Sequence, residues 1–200
     1  KNITIKNLKL SMFGKHQAIN AAVAITAILQ SGITISVDSI RKALKNISFS
    51  GRNEVVSING QTVIIDGAHN VLKISALAEL LKDHFPGQKF STLIAIKKDK
   101  DIRGMVKKLS PYISKWYLFT FNRQTDWGEQ VMYGASDLAE IIKLQDKSKP
   151  ITIVPKLTDF LNELKKKNNN EVFLVTGSLY LVGYIEEWMK ANPQVREYNK

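Results

Sequence analysis

Asp66-Gly67-Ala68-His69-Asn70 places a carboxylate, an imidazole and a carboxamide within one short stretch. A carboxylate accepts hydrogen bonds, an imidazole holds or moves a proton near neutral pH, and a carboxamide both donates and accepts. The apolar run Thr62-Val63-Ile64-Ile65 precedes them, and Ile74, Leu77, Ala78 and Leu81 follow at helical spacing. The pattern predicts a buried strand, a tight turn and a helix. In an open α/β sheet such a turn lies at the carboxyl end of a strand, where ligands bind. The same residues also have purely structural uses, since Asp66 can end the strand and Asn70 can cap the helix. Other segments must decide between the two.

Two more strand ends carry polar residues. Ile94-Ala95-Ile96 runs into Lys97-Lys98-Asp99-Lys100-Asp101, and Phe173-Leu174-Val175 into Thr176-Gly177-Ser178-Leu179-Tyr180. Both are expected on the same rim as Asp66 and His69, with Ser178 also suited to capping a helix. Nowhere does Gly-x-x-x-x-Gly-Lys-Ser/Thr occur, so the sequence holds no P-loop. Upstream, Gly14-Lys15-His16-Gln17-Ala18-Ile19-Asn20 opens an alanine-rich helix that Ser31-Gly32 stops. His16 and Asn20 share one face of it, and its small residues predict close packing on neighbours.

These residues need a framework, and the rest of the chain supplies the pattern for one. Ile3, Ile5, Leu8 and Leu10 alternate weakly and read as one or two short strands; 37–44 reads as an amphipathic helix. After the turn-forming stretch 46–51 the periodicity changes, which puts a domain boundary there, with 1–48 as the end of one domain and 49–200 as the next. Residues 1–48 are too few to bury a core alone, so they are expected to belong to a longer protein. Asn59-Gly60 between two apolar runs predicts a hairpin. Strands at 90–96, 115–121, 151–154 and 172–175 then alternate with helices at 102–109, 136–144, 157–166 and 179–189, and a lysine-asparagine loop is expected at 165–170. The expected architecture is a Rossmann-like three-layer α/β/α domain whose mostly parallel sheet ends in an antiparallel edge.

Composition narrows the function classes. With 44% hydrophobic residues the chain can fill a core, and with no cysteine it can form no disulfide, thiolate zinc site or cysteine nucleophile. There is no apolar run of about eighteen residues and no signal-peptide pattern at the start, so a soluble, cytoplasmic protein without a membrane partner is expected. The net charge of +11 comes from lysines scattered over polar faces, without an interleaved aromatic stripe. This favours attraction of small anions such as nucleotides or polyglutamates over binding of nucleic acid.

Five motifs in a fixed order then carry a resemblance. They are Gly14-x-His16-Gln17-x-x-Asn20-Ala21-Ala22-x-Ala24, Gly51-Arg52-x-Glu54, Asp66-Gly67-Ala68-His69-Asn70, Lys98-Asp99-Lys100-Asp101, and Thr176-Gly177-Ser178-Leu179-Tyr180-Leu181-Val182-Gly183. Together they resemble the folylpolyglutamate synthase/dihydrofolate synthase branch of the Mur ligase superfamily, over the end of the central ATPase domain and the whole C-terminal domain. The resemblance implies a monomeric enzyme that uses ATP and Mg2+ to convert a folate carboxylate into an acyl phosphate, which the amine of L-glutamate then attacks. It leaves open dihydropteroate as a further acceptor. Asn20 matches a position that contacts adenine, Arg52 an arginine that reaches ATP, and Asp66 an aspartate on the ribose. His69 and Ser178 match positions for the incoming glutamate, which makes Arg52 and His69 the catalytic candidates. The P-loop and the metal ligands of that family belong to segments outside this sequence. Where the family often has Trp-Pro-Gly-Arg this chain has Phe49-Ser50-Gly51-Arg52, and where it often has proline after His-Asn this chain has Val71.

Overall fold

The computed structural model describes residues 4–126, 128–164 and 171–193 and the backbone of 196–197. The chain divides into two compact units, Lys1–Phe49 and Ser50–Lys200.

In the first unit, α1 (Lys15–Gln30) and α2 (Val37–Asn46) form as the periodicity predicts. Ser36 caps α2 by accepting from the Ser39 amide at 3.0 Å, and Ile40 and Leu44 are its buried face. Ser11 is tied to the end of α2 through its amide, which donates to the Leu44 carbonyl at 3.0 Å. Two expectations fail here. Residues 4–10 form no strand: among the described residues no strand pairs with them, and Asn7 takes a left-handed φ of 60° that breaks an extended run. Ile3 lies outside the described residues. Nor is α1 closely packed, because only Gln17 is buried while Ile19 is 65% and Val23 63% exposed.

The second unit is built on a seven-stranded sheet. Its strands are β1 (Glu54–Ile58), β2 (Gln61–Ile65), β3 (Phe90–Ile94), β4 (Ile113–Phe119), β7 (Ile151–Val154), β8 (Val172–Thr176) and β9 (Arg196–Glu197), in the order β7-β4-β3-β8-β2-β1-β9. From β7 to β2 every neighbour is parallel; β1 and β9 add the antiparallel edge. Asn59 (φ 52°) and Gly60 (φ 77°) both adopt the left-handed conformation that a two-residue hairpin requires, and Ile58 pairs with Gln61 across it.

The parallel strands are apolar on both sides, yet their alternation still sorts residues between two cores. Ile64, Ile94, Trp116, Leu118 and Leu174 face α3 (Val71–His84), α4 (Ile102–Leu109) and α5 (Ala135–Gln145). Val63, Ile65, Leu93, Tyr117, Phe173 and Val175 face α6 (Leu157–Glu163) and α7 (Leu179–Ala191). This is the three-layer α/β/α arrangement. The end of the helix expected over 157–166 and the loop expected at 165–170 lie outside the described residues beyond 164. A hairpin of β5 (Asn122–Thr125) and β6 (Gly128–Val131) was not expected. It is stitched to the sheet just past β3, where the Lys98 amide donates to Val131 O at 3.0 Å and the Tyr133 amide to Ile96 O at 2.8 Å.

Candidate functional site

The ends of β2, β3 and β8 meet at one rim, and main-chain hydrogen bonds weld them. The Asp66 amide donates to Val175 O at 2.9 Å, and the Gly177 amide to Ala68 O at 3.0 Å. Gly177 has φ 100°, and a Cβ there would lie 2.7 Å from the Ala95 carbonyl oxygen, so only glycine lets these strand ends approach.

Asp66 is buried, and its carboxylate is a two-handed clasp. Oδ1 accepts from the Ala68 amide at 2.8 Å and Oδ2 from the Asn53 amide at 2.9 Å. Beside it the Gly67 amide donates to Gly51 O at 2.8 Å. The segment carrying Arg52 is thereby held on both sides against the turn carrying His69. Asp66 thus has a structural job: it ties the turn after β2 to the segment before β1.

His69 is half-buried. Its Nδ1 lies 2.7 Å from Gly67 O, and its Nε2 lies 3.0 Å from Lys73 Nζ. A carbonyl can only accept and an ammonium can only donate, so the proton is on Nδ1 and the lone pair on Nε2. Burial, together with the nearby charges of Lys73, Lys100 and Arg52, lowers the His69 pKa against the pull of the Gly67 carbonyl. Lys73 is lowered too, by burial and then by Arg52, with Asp66 opposing and Lys100 adding. Arg52, His69, Lys73 and Lys100 therefore share one field that disfavours positive charge.

Asn70 and Ser178 are both helix caps. Asn70 Oδ1 accepts from the Lys73 amide at 2.9 Å, which starts α3 with Val71 at its first position. Buried Ser178 accepts from the Tyr180 amide at 3.1 Å and starts α7. Asp101 caps α4 through the Gly104 amide at 2.9 Å. Asp99 pairs with Lys100 at 3.1 Å and Lys97 at 3.4 Å; burial opposes its charge, but the two lysines prevail and its pKa is lowered.

Of the sequence-derived residues, the second unit brings together Arg52, Asp66, His69 and Ser178. Asn20 belongs to the first unit, on α1, where its Nδ2 donates to Gln17 Oε1 at 3.1 Å. Lys73 was missed. Its signal was its place four residues after His69, one turn along a predicted helix. Among the described residues no group of three or more histidines or carboxylates could hold a metal ion. No helix among them is long and apolar enough to cross a membrane.

Residues 46–188 match the family model described as dihydrofolate synthetase, C-terminal domain. The chain belongs to the dihydrofolate synthetase family. It is 29% identical over 189 residues to the dihydrofolate synthase/folylpolyglutamate synthase of Bacillus subtilis (strain 168), covering 92% of this chain and 42% of that protein. The crystal structure of folylpolyglutamate synthase from Thermotoga maritima superposes with a TM-score of 0.73 at 30% identity, over 95% of this chain and 42% of that one. For E. coli FolC in complex with DHPP and ADP the TM-score is 0.76 at 23% identity, over 94% and 42%, a likeness of fold. The chain thus spans about two fifths of the length of these family members.

Proposed function

We propose that the whole protein is an ATP-dependent ligase that joins L-glutamate to a folate through an acyl phosphate. In this reading residues 1–48 are the end of the central ATP-binding domain and 49–200 are the glutamate-ligase domain. The observation that carries it is the cluster of Arg52, His69, Lys73 and Lys100 at the carboxyl ends of β2 and β3, in a chain of this family. Each group has work to do on anionic substrates. Arg52 stabilises charge on the transferring phosphoryl group. Asp66 accepts from ribose hydroxyls, and Asn20 reads the adenine edge. His69, with Lys73 on its Nε2, and the Ser178 hydroxyl face the incoming glutamate. Mg2+ would be held by residues beyond this chain and would offset phosphate charge when bound. The reading includes a monomeric, cytoplasmic enzyme without a nucleic-acid partner, consistent with lysines scattered over the surface.

The test is ADP release and glutamate incorporation by the intact protein with ATP, a reduced folate and labelled L-glutamate. Glutamate-dependent ADP release with a lengthened folate product is expected. ADP release that ignores both folate and glutamate, or nucleotide binding without turnover, would instead favour a Rossmann-type nucleotide-binding module. The 200-residue chain alone is expected to release no ADP, because it holds no P-loop, and positioning of phosphates supplies most of the catalysis in phosphoryl transfer.

A further inference from the structure

Lys73 stands in an uncommon setting for a lysine. Its ammonium lies 3.0 Å from a neutral imidazole nitrogen, and it forms no ion pair with a carboxylate among the described residues. The charged groups around it come from three other segments. Arg52 precedes β1, Asp66 ends β2, and Lys100 lies between β3 and α4. Asp66 is committed to two amides, and Lys100 is paired with Asp99. Lys73 therefore keeps two of its three donors for something else, with Asp66 the one opposing charge that acts on it.

We propose that Lys73 is a specificity-determining residue of this site: its ammonium, held in place by His69 Nε2, binds a carboxylate of an acidic amino acid. The inference rests on the ligase reading for the identity of the amino acid, but its geometry does not. An ammonium is a compact point charge that suits a carboxylate approaching from several directions. Its position on the first turn of α3, against His69, puts that charge at the imidazole. A carboxylate arriving there adds counter-charge, beyond that of Asp66, in a place where burial and the neighbouring Arg52 and Lys100 disfavour positive charge. Methionine at 73 would keep the aliphatic stem and remove the charge.

Two measurements test this. In the intact protein, Lys73→Met is expected to raise the KM for L-glutamate about tenfold to a hundredfold, the loss of a charged hydrogen bond, with kcat within about threefold and the KM for ATP unchanged. Lys73→Arg should recover most of the loss. In the 200-residue chain, NMR signals of the His69 ring should move on titration with L-glutamate, and Lys73→Met should abolish the movement. Inorganic phosphate at equal concentration is the control. An unchanged glutamate KM with a fallen kcat would mean that Lys73 acts only on His69, and would overturn the proposal. So would a rise confined to the KM for ATP, or His69 signals that respond to phosphate alone. Should the intact protein make no folate–glutamate bond, the ligase reading falls, while the NMR titration still decides the role of Lys73.

Discussion

Two clusters of charge in the second unit are built on opposite plans. At the end of α5, Asp146 is saturated: Oδ2 accepts from Lys149 Nζ at 2.5 Å and Ser110 Oγ at 2.6 Å, and Oδ1 from Ser148 Oγ at 2.7 Å. Lys149 also donates to the Ser110 carbonyl. Hydrogen bonds from Lys149, Ser110 and Ser148 hold the Asp146 pKa far below the usual carboxylate range. At the rim, His69 and Lys73 crowd against Arg52 and Lys100, and the same downward direction has the opposite meaning: it favours the charged form of Asp146 but disfavours the charged forms of His69 and Lys73. The first cluster closes on itself and binds the turn Ser110–Tyr112 to the loop before β7. The second is an electrostatic deficit that an anion would fill. Density of charge alone does not mark a site; the sign left over after internal pairing does.

The contrast can be broken by experiment. The largest effect is expected from Arg52→Ala in the intact protein: kcat lowered about tenfold to a thousandfold, a smaller change in glutamate KM, and stability within about 1 kcal/mol. Arg52→Lys should fall between, because it keeps the charge and loses the planar fork. A lowered melting temperature with kcat intact would make the rim a structural cluster like the other.

Asp146→Asn should do the reverse. Removing the charged acceptor is expected to cost about 1–3 kcal/mol, or roughly 2–10 °C in Tm, without altering glutamate KM. The sign with pH follows from the depressed folded-state pKa: the stabilisation is present above the ordinary value near 3.9 and is lost as pH falls below it. Calorimetry across the acid range should therefore show wild type and Asp146→Asn converging as the pH drops.

The smallest effect is spectroscopic. His69 should titrate below its ordinary value of 6.5, and Lys73→Met should move its midpoint upward. Because the folded-state pKa is lowered, the unfolded chain binds more protons just below pH 6.5. The His69 contribution is full above that pH and is lost as the pH falls through the window beneath it. A midpoint in Lys73→Met identical to wild type would show that the two side chains do not interact in solution.

Much of this was legible from residue patterns. The β/α alternation, the Asn59-Gly60 hairpin and the convergence of Asp66, His69 and Ser178 follow from local periodicity and from where strands end. The β5–β6 hairpin escaped because Asn122-Arg123-Gln124-Thr125 and Gly128-Glu129-Gln130-Val131 lack the apolar alternation that marks a strand. The weak alternation over 4–10 misled for the complementary reason, since alternation without a partner strand gives no ladder. Lys73 and the Asp146–Lys149 clamp are not singled out by their sequence pattern. What distinguishes them is burial and partners such as Ser110, 36 residues from Asp146, which no local window contains.

The Asp66 clasp makes the rim a ruler. Since the amides of Asn53, Gly67 and Ala68 are all tied by hydrogen bonds, the span between the Cα atoms of Arg52 and His69 is set by backbone, and rotamer changes cannot stretch it. A ligand held between the two side chains would be measured from anchor points that do not move. Size discrimination at this rim is therefore inherited from a carboxylate that need not touch the ligand at all.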